Sequence, residues 1–296
     1  MLATTKGEID LLEHSLNTGP QGVDKPPVLP VFLSRLRKYL GVEDRGIVVS
    51  AACASSTTAL ALAASMIQTG DAECVLVVAC DSVTEFVFSG FSSLMALDPE
   101  PARPFDRDRK GLSVGEGAAF ALLMAEERAR DSGQICQGEV LGWGQSSDAN
   151  HMTGPSRDGS GQALAIRKAL TRASLEATDI GSVCAHGTGT VYNDSMEMKA
   201  LRLVFGDRAL PVYSVKGGVG HTMGAAGLME ALISLRSLAE GRTPGVVNLR
   251  HVDNEALGLV SAEPLPFPRE KGVLSTNSGF GGINAAVILG LGAGAA

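Results

Sequence analysis

The sequence lacks a long apolar run, an excess of basic residues and cysteines at metal-binding spacing, and each absence excludes a class of protein. No apolar run approaches about eighteen residues, so we predict no membrane-spanning helix. The formal net charge of −7 argues against a nucleic-acid-binding protein. The five cysteines are an odd number without metal-ligand spacing, and the N-terminus does not resemble a signal peptide. We therefore expect no metal centre, and a reducing cytoplasm as the location.

The residues that are present are typical of a compact α/β enzyme. Hydrophobic residues make up 45% of the 296 residues and charged residues only 19%. The 36 glycines allow many close approaches of the backbone. Two apolar runs, residues 74–80 and 115–124, have the length of strands that are buried in a sheet covered on both faces.

The chain also shows a weak internal repeat. A strand over residues 47–49 leads to Cys53 and then to an apolar helix over 57–69, which we expect to be buried. A second apolar helix begins near Met223, directly after His221. The repeat predicts two similar halves, over residues 45–145 and 146–296. They follow an N-terminal segment, 1–44, with an extended stretch over 19–30 and a short helix over 31–40.

Cys53 lies where a strand ends and a helix begins. The free N–H groups and the dipole of a helix start favour an anion, which predicts a thiol pKa below the usual value of about 8.5. A buried structural cysteine is the alternative interpretation. The small residues on either side favour a sulfur that is open to a substrate.

Two histidines follow apolar strands in glycine-rich loops, where a ligand can approach the backbone. These are His186 and His221, with Lys216 on the same turn as His221. One cysteine and two histidines are compatible with acyl transfer through a thioester, and also with a cysteine hydrolase. The second histidine and the lysine fit the stabilisation of an enolate better than the hydrolysis of an amide. The charged stretch 101–111, taken alone, predicts a solvated loop.

Five motifs, in this order and at these spacings, resemble the β-ketoacyl-(acyl-carrier-protein) synthases, condensing enzymes of the thiolase-like fold. They are Ala-Ala-Cys53-Ala-Ser-Ser, Arg103-Pro-Phe-Asp with Gly115-Glu-Gly-Ala, His186-Gly-Thr-Gly-Thr, the stretch from Lys216 to Gly227, and that from Asn277 to Asn284. The resemblance covers roughly residues 27–290. It implies a thiolase-like layered α/β/α/β/α fold with two similar halves. Because only 52 residues precede Cys53, we expect the N-terminal half to be truncated.

The resemblance also implies roles for the residues at matching positions. Cys53 matches the acyl-accepting nucleophile, His186 and His221 the pair that promotes decarboxylation, and Lys216 the lysine that orders the site. Ser278 replaces a phenylalanine of most members, which could loosen the gate of the acyl pocket. Phe280 and Gly281 are expected at the acyl pocket, and the backbone N–H groups of Phe280 and Cys53 are expected to form the oxyanion hole. Thr188 and Thr190 are expected to contact the phosphopantetheine arm, and Glu197 to have a supporting role.

The expected function is that of a β-ketoacyl-acyl carrier protein synthase, in fatty-acid, polyketide or polyene biosynthesis. An acyl group on Cys53 would condense with a malonyl unit as carbon dioxide leaves. No metal or dissociable cofactor is implied, since the phosphopantetheine arm arrives on the acyl carrier protein. The expected partners are that carrier and a second subunit, in a homodimer or in a heterodimer with a ketosynthase-like chain. The alternative is a non-catalytic partner subunit, similar to a chain-length factor.

Overall fold

The computed structural model describes residues 1–18 and 28–292. Most of the predicted extended stretch 19–30 therefore lies outside the described residues. The elements up to residue 131 are β1 (Leu2–Ala3), α1 (Ile9–Thr18), α2 (Leu29–Leu40), β2 (Val48–Val49), α3 (Ser55–Gln68), β3 (Cys74–Asp81), α4 (Glu85–Ser93), β4 (Gly117–Met124) and α5 (Glu126–Asp131). Those after it are β5 (Glu139–Ser147), α6 (Ser160–Ala173), β6 (Ile180–Cys184), α7 (Val191–Phe205), β7 (Val212–Tyr213), α8 (Lys216–Val219), α9 (Ala226–Glu240), β8 (Gly272–Gly279) and β9 (Ile283–Gly290).

The strands form two sheets with a shared topology. The first has the order β2-β1-β3-β4 and the second the order β5-β9-β8-β6-β7. In the first sheet β1 is parallel to β2 and β3, and β4 is antiparallel to β3. In the second, β6 is parallel to β7 and β8, and β9 is antiparallel to β8. The four strands of the first sheet thus repeat four of the second, which confirms the predicted internal repeat.

Helices α3 and α9 lie between the two sheets and join their cores. One hydrophobic cluster contains Leu60 of α3, Leu228 of α9, Val77 of β3 and Val287 of β9. A second cluster packs α6 and α7 against the other face of the second sheet. None of the helices in the described ranges is long and apolar enough to cross a membrane.

Three expectations about burial are wrong. Along β4 the side chains alternate, and Phe120 is 72% exposed because no described element covers that face. The last turns of α3 are only partly buried, and Leu62 is exposed. The stretch 101–111 is no solvated loop, because Asp106 is fully buried and accepts the N–H groups of Arg250 and His251 at 2.7 and 2.9 Å.

The structure also places two segments differently from the sequence analysis. Leu2–Ala3, within the expected N-terminal segment, pairs with both β2 and β3 inside the first sheet. Strand β5 extends across the expected boundary at residues 145 and 146, and it pairs with β9 of the second sheet. Strand pairing is a long-range contact, so a local apolar pattern predicts a strand but not the sheet it joins.

Candidate active site

Cys53 lies in a tight turn between β2 and α3. Ala52 has a left-handed backbone with a φ of 48°, a conformation that a non-glycine residue keeps only where its surroundings fix it. The Ala54 N–H closes the turn on the Ala51 carbonyl at 3.0 Å. The end of β8 packs so closely that a Cβ on Gly279 would lie 3.0 Å from the same carbonyl oxygen. The sulfur is therefore held in place, and it is buried rather than open, since Cys53 is only 7% exposed.

The predicted lowering of the Cys53 pKa is wrong. Burial raises the pKa of this thiol to about 11, and the opposing effects of the Lys216 charge and of the Phe280 and Cys53 N–H groups are smaller. Desolvation disfavours the thiolate, and in this enclosed turn it outweighs the helix start. Cys53 is therefore a thiol near neutral pH in the resting protein. The influence of the two N–H groups on the sulfur fits their expected place in an oxyanion hole.

His221 contacts Cys53 directly. Its Nε2 lies 3.0 Å from Cys53 Sγ, while its Nδ1 accepts the N–H of Met223 at 3.3 Å. A nitrogen that accepts a hydrogen bond carries no proton, so the proton of the neutral ring is on Nε2. His221 therefore presents an N–H donor to the sulfur.

His186 adopts the same tautomer by another route. Its Nδ1 lies 3.2 Å from Lys216 Nζ and 3.1 Å from Asn277 Nδ2, and both of these groups are donors. Its proton is therefore also on Nε2. The rings of His186 and His221 meet edge to face, with centroids 5.1 Å apart. The structure thus brings Cys53 and both histidines into one buried cluster.

Lys216 is a buried cation that connects this cluster to α9. Its Nζ forms an ion pair with Glu230, and both side chains are 1% exposed. It also donates to the His186 carbonyl at 2.5 Å. Asn277 Nδ2 donates to the second Glu230 oxygen at 2.7 Å. Because a buried charge without its partner is costly, this network fixes the lysine beside His186.

The electrostatics keep both histidines neutral. Burial, followed by the charge of Lys216, lowers the pKa of His221 to about 3 and that of His186 well below its usual value.

Cys53, His186 and His221 each offer an atom within 4.8 Å of the others, which is close enough for a metal ion. The protons on both Nε2 atoms and the nearby Lys216 ammonium disfavour that use, because a metal needs free lone pairs. The cluster is suited to donating hydrogen bonds to an oxygen that gains negative charge.

Two acids on α7 hold the loop that follows β6. Glu197 accepts the N–H groups of His186 and Gly187 at 2.7 and 2.6 Å, and burial raises its pKa to about 7. Asp194 accepts the Thr188 N–H at 3.0 Å. The Thr188 and Thr190 hydroxyl groups lie 2.9 Å apart on the same loop. Glu197 therefore positions His186 through the backbone, in agreement with a supporting role.

Phe280 and Gly281 form the turn between β8 and β9. Phe280 is 37% exposed, and its ring centroid lies 5.8 Å from that of Phe91. Phe91, on α4, in turn lies 6.2 Å from the His221 ring. Gly281 has a φ of 84° and is exposed. Phe280 thus reaches the histidine cluster through Phe91, whereas Gly281 shapes the turn.

The loosening expected from Ser278 stays a prediction, and the structure shows polar contacts at this residue. Ser278 Oγ donates to Asn284 Oδ1 at 2.7 Å across the β8–β9 hairpin. Asn284 Nδ2 donates in turn to Asp148 Oδ1 at 2.6 Å.

The sequence analysis missed three residues of the site. Glu230 is the one acidic residue on the apolar helix stretch before Glu240, and a lone acid there indicates a buried partner. Asn277 was part of a recognised motif but received no role. Phe91 carried no signal beyond its apolar character, because its contact with His221 depends on how α4 packs.

Comparisons with known proteins agree with this geometry. The chain matches the family model "Beta-ketoacyl synthase, N-terminal domain" over residues 30–129 and "Beta-ketoacyl synthase, C-terminal domain" over residues 137–250. It is 36% identical to the 3-oxoacyl-[acyl-carrier-protein] synthase 2 of Vibrio cholerae over 302 residues, which cover 95% of this chain and 73% of the relative. It is 35% identical to the actinorhodin polyketide putative beta-ketoacyl synthase 1 of Streptomyces coelicolor, covering 89% of this chain and 58% of the relative.

Solved structures show the same fold. The ishigamide ketosynthase/chain length factor superposes with a TM-score of 0.90 at 33% identity, covering 98% of this chain and 74% of that one. A ketosynthase in complex with its chain length factor from Xenorhabdus doucetiae gives a TM-score of 0.86 at 31% identity, covering 98% and 73%. The thiolase-like layered fold is therefore confirmed, and the chain spans about three quarters of the length of these neighbours. From its sequence matches, its fold and its Cys–His–His cluster, this chain belongs to the β-ketoacyl synthase family of acyltransferases.

Proposed function

We propose that the chain catalyses the decarboxylative condensation of an acyl thioester on Cys53 with a malonyl unit on an acyl carrier protein. The observation that carries the proposal is the shared tautomer of His186 and His221, both neutral with the proton on Nε2. A cysteine hydrolase needs a histidine that accepts the thiol proton on the nitrogen facing the sulfur, with the N–H of the other ring nitrogen donated to an orienting group. Here Nδ1 accepts in both rings, which favours stabilisation of an enolate over hydrolysis.

In the first step the Cys53 thiol gives up its proton to water, and the thiolate attacks the carbonyl carbon of the incoming acyl thioester. The oxyanion of the tetrahedral intermediate accepts hydrogen bonds from the backbone N–H groups of Cys53 and Phe280. The intermediate expels the carrier thiolate, which takes up a proton from water. The products are an acyl group on Cys53 and a free carrier thiol.

In the second step a malonyl thioester loses carbon dioxide, and the electron pair of the broken carbon–carbon bond forms an enolate. The enolate oxygen accepts hydrogen bonds from the Nε2–H groups of His186 and His221. The enolate carbon then attacks the thioester on Cys53 and expels the Cys53 thiolate, which gives a β-ketoacyl product on the carrier. Lys216 keeps both histidines neutral and in place, so they act as donors throughout.

The proposed partners follow from the relatives and from the site. The Vibrio relative is named for an acyl carrier protein, and we propose that Thr188 and Thr190 contact the phosphopantetheine arm of such a carrier. No other cofactor is part of the proposal. We also propose a homodimer or a heterodimer with a ketosynthase-like subunit, and the cytoplasm as the location, given five unpaired cysteines.

A non-catalytic subunit similar to a chain length factor is the second candidate. Two structural neighbours are ketosynthase–chain length factor assemblies, which supports it. The complete cluster of Cys53, His186 and His221 opposes it, because a subunit without catalysis needs none of these contacts. The two candidates differ in whether the chain takes up an acyl group.

Intact mass after incubation with an acylated carrier protein tests the proposal. We expect the mass to rise by one acyl group in the wild type and in Cys74→Ala, whose cysteine is exposed. Cys53→Ala should stay unmodified. An unmodified wild type, together with a gain of condensing activity in a longer ketosynthase on mixing, would support the non-catalytic subunit instead.

A further inference from the structure

Asp81 is a buried carboxylate that joins the end of β3 to two other segments of the chain. Its side chain is fully buried. Its Oδ1 accepts a hydrogen bond from the Thr4 hydroxyl at 2.6 Å, and its Oδ2 accepts the N–H and the hydroxyl of Thr5 at 3.0 and 2.8 Å. Oδ2 also accepts the N–H of Gly224 at 2.8 Å. An ionised carboxylate only accepts hydrogen bonds and each of these groups donates, so both oxygens are held in place.

The internal repeat shows that the fold itself does not need an acid at this position. Asp81 is the last residue of β3, and it pairs with Gly117, the first residue of β4. The corresponding residue of the second sheet is Gly279, which ends β8 and pairs with Ile283, the first residue of β9. The second sheet therefore forms with no side chain at this position. Because burial of a carboxylate is costly unless its contacts compensate for it, the contacts of Asp81 indicate a role beyond the strand.

The Gly224 N–H belongs to the turn that orients His221. The residue before it, Met223, donates its N–H to His221 Nδ1 at 3.3 Å. Met223 has a left-handed backbone with a φ of 53°, which a residue with a side chain keeps only where its surroundings hold it. A Cβ on Gly224 would lie 2.7 Å from Asp81 Oδ2 and 3.0 Å from the Thr5 nitrogen. Two consecutive N–H groups of one closely packed turn thus go to His221 and to Asp81.

The charge of Asp81 also acts on Cys53, but in the unfavourable direction. Burial is the main cause of the raised pKa of this thiol, and the Asp81 charge adds to it, whereas the Lys216 charge opposes it. An acid that disfavours the thiolate is not placed to activate the thiol. Lys6 Nζ, on a side chain that is 4% exposed, lies 3.8 Å from Asp81 Oδ1 and balances the buried charge. The contacts of Asp81 therefore serve His221 rather than Cys53.

We infer that Asp81 is a positioning residue for decarboxylation: it holds the turn after His221, so that the Met223 N–H stays on Nδ1 and the Nε2–H stays directed at the reacting centre. The inference rests on the proposed function, because the positioned group is the Nε2–H that would stabilise the enolate. Asp81 transfers no proton in this role and remains an acceptor throughout.

Three variants separate the contact from the charge. Asp81→Asn removes the charge and places an NH2 group, itself a donor, against the donors that now hold an oxygen. Gly224→Ala pushes the turn away from Asp81 and keeps the charge. Asp98→Asn is the matched control, because the Asp98 side chain is also buried and accepts a backbone N–H, that of Glu100 at 3.0 Å, away from this turn.

The first measurement is decarboxylation of malonyl carrier, followed as carbon dioxide release. Asp81→Asn and Gly224→Ala should each lose about tenfold or more, since a displacement of ~1 Å can cost about 10²-fold. Cys53 should still accept an acyl group in both variants. Asp98→Asn should release carbon dioxide at the wild-type rate.

Two further measurements need no substrate. Nitrogen NMR of protein with isotope-labelled histidine reports the tautomer, and His221→Ala assigns the signal. The wild type and Asp98→Asn should show a neutral ring with the proton on Nε2, and Asp81→Asn and Gly224→Ala should lose this signature. The pH profile of Cys53 alkylation should move to lower pH in Asp81→Asn alone, because only that variant removes a charge that disfavours the thiolate.

A folded Asp81→Asn that keeps the His221 tautomer, or that matches a measurable wild-type rate of carbon dioxide release, would overturn the inference. If Asp81→Asn does not fold, because Lys6 loses its buried partner, Gly224→Ala and the milder Thr5→Val decide in the same way with that ion pair intact. Circular dichroism shows which variants are folded. A wild type that releases no carbon dioxide would refute the proposed function alone, since the NMR signal would still show whether Asp81 holds the ring.

Discussion

Among single residues, Lys216 has the widest influence on the chemistry of the site. It contacts His186 at two atoms and forms an ion pair with Glu230. Its charge lowers the pKa of both histidines and opposes the effect of burial on the Cys53 thiol. The same cation thus keeps the histidines as neutral donors and favours the thiolate when it forms.

Alkylation of Cys53 should follow its raised pKa. Only the thiolate reacts, so the rate should rise about tenfold per pH unit toward a pKa of about 11. Free cysteine, with a pKa of about 8.5, should reach its plateau earlier. Peptide mapping after brief iodoacetamide treatment near pH 8 should show exposed Cys74 labelled before Cys53. Faster labelling of Cys53 would mean that the helix start outweighs burial after all.

Replacement of His221 should separate the two chemical steps. His221→Ala removes one Nε2–H donor from the enolate, and the loss of one such donor typically costs about 10²–10³ in rate. We expect that loss in the decarboxylation of malonyl carrier, measured as carbon dioxide release, while Cys53 still accepts an acyl group. The control is His251→Ala, whose ring is exposed and pairs with Asp108. Condensation at a near wild-type rate in His221→Ala would refute the enolate role.

Among the elements, the contact between α3 and α9 brings the two reactive regions together. Gly227 of α9 lies so close to α3 that a Cβ there would be 1.9 Å from Thr57 Oγ1 and 2.8 Å from Asn277 Oδ1. Thr57 Oγ1 donates to Asn277 Oδ1 at 2.5 Å, and Asn277 contacts His186. The close approach of the two helices therefore sets the position of a histidine contact.

Gly227→Ala should reduce both stability and activity. Overpacking at a close helix contact typically costs about 1–3 kcal/mol, and the displaced Asn277 would release His186. Gly90→Ala on α4 is the matched control, because nothing lies within 4 Å of its Cβ position. That variant should be unchanged or more stable by roughly 0.5–1 kcal/mol, since alanine favours a helix. Urea unfolding and turnover measure the two effects, and equal stability of the two variants would contradict the contact.

For the whole molecule, the shared core predicts that both halves unfold together. The cluster around α3 and α9 takes residues from both sheets, so the two halves share this part of the core. Leu228 of α9 lies in this cluster and is fully buried.

Leu228→Ala should therefore destabilise both halves at once, by about 2–5 kcal/mol. Trp143, the single tryptophan, reports on the second sheet by fluorescence, and hydrogen exchange of β3 reports on the first. We expect coincident urea transitions that shift together. Leu232→Ala, at a 38% exposed position of the same helix, should shift them less. Two separate transitions would show that the halves are independent.

Much of the fold and of the site follows from local sequence. Apolar runs predicted β3 and β4, and the apolar stretches after Cys53 and His221 predicted the two central helices. The site residues lie at strand ends in recognisable motifs, so Cys53, His186, His221 and Lys216 could be named before any coordinates. These features depend on residues close together in the chain.

Tertiary structure decided what depends on distant residues. The tautomer of His186 is set by Asn277, which is 91 positions away, and His221 meets Cys53 across 168 positions. The thiol pKa is raised because folding buries the turn, an effect that no local motif reports. The exposure of Phe120 likewise depends on what packs over β4. The sequence by itself determined which groups are candidates for the site, and the fold decided their protonation and which surfaces are exposed, because burial and charge act through space.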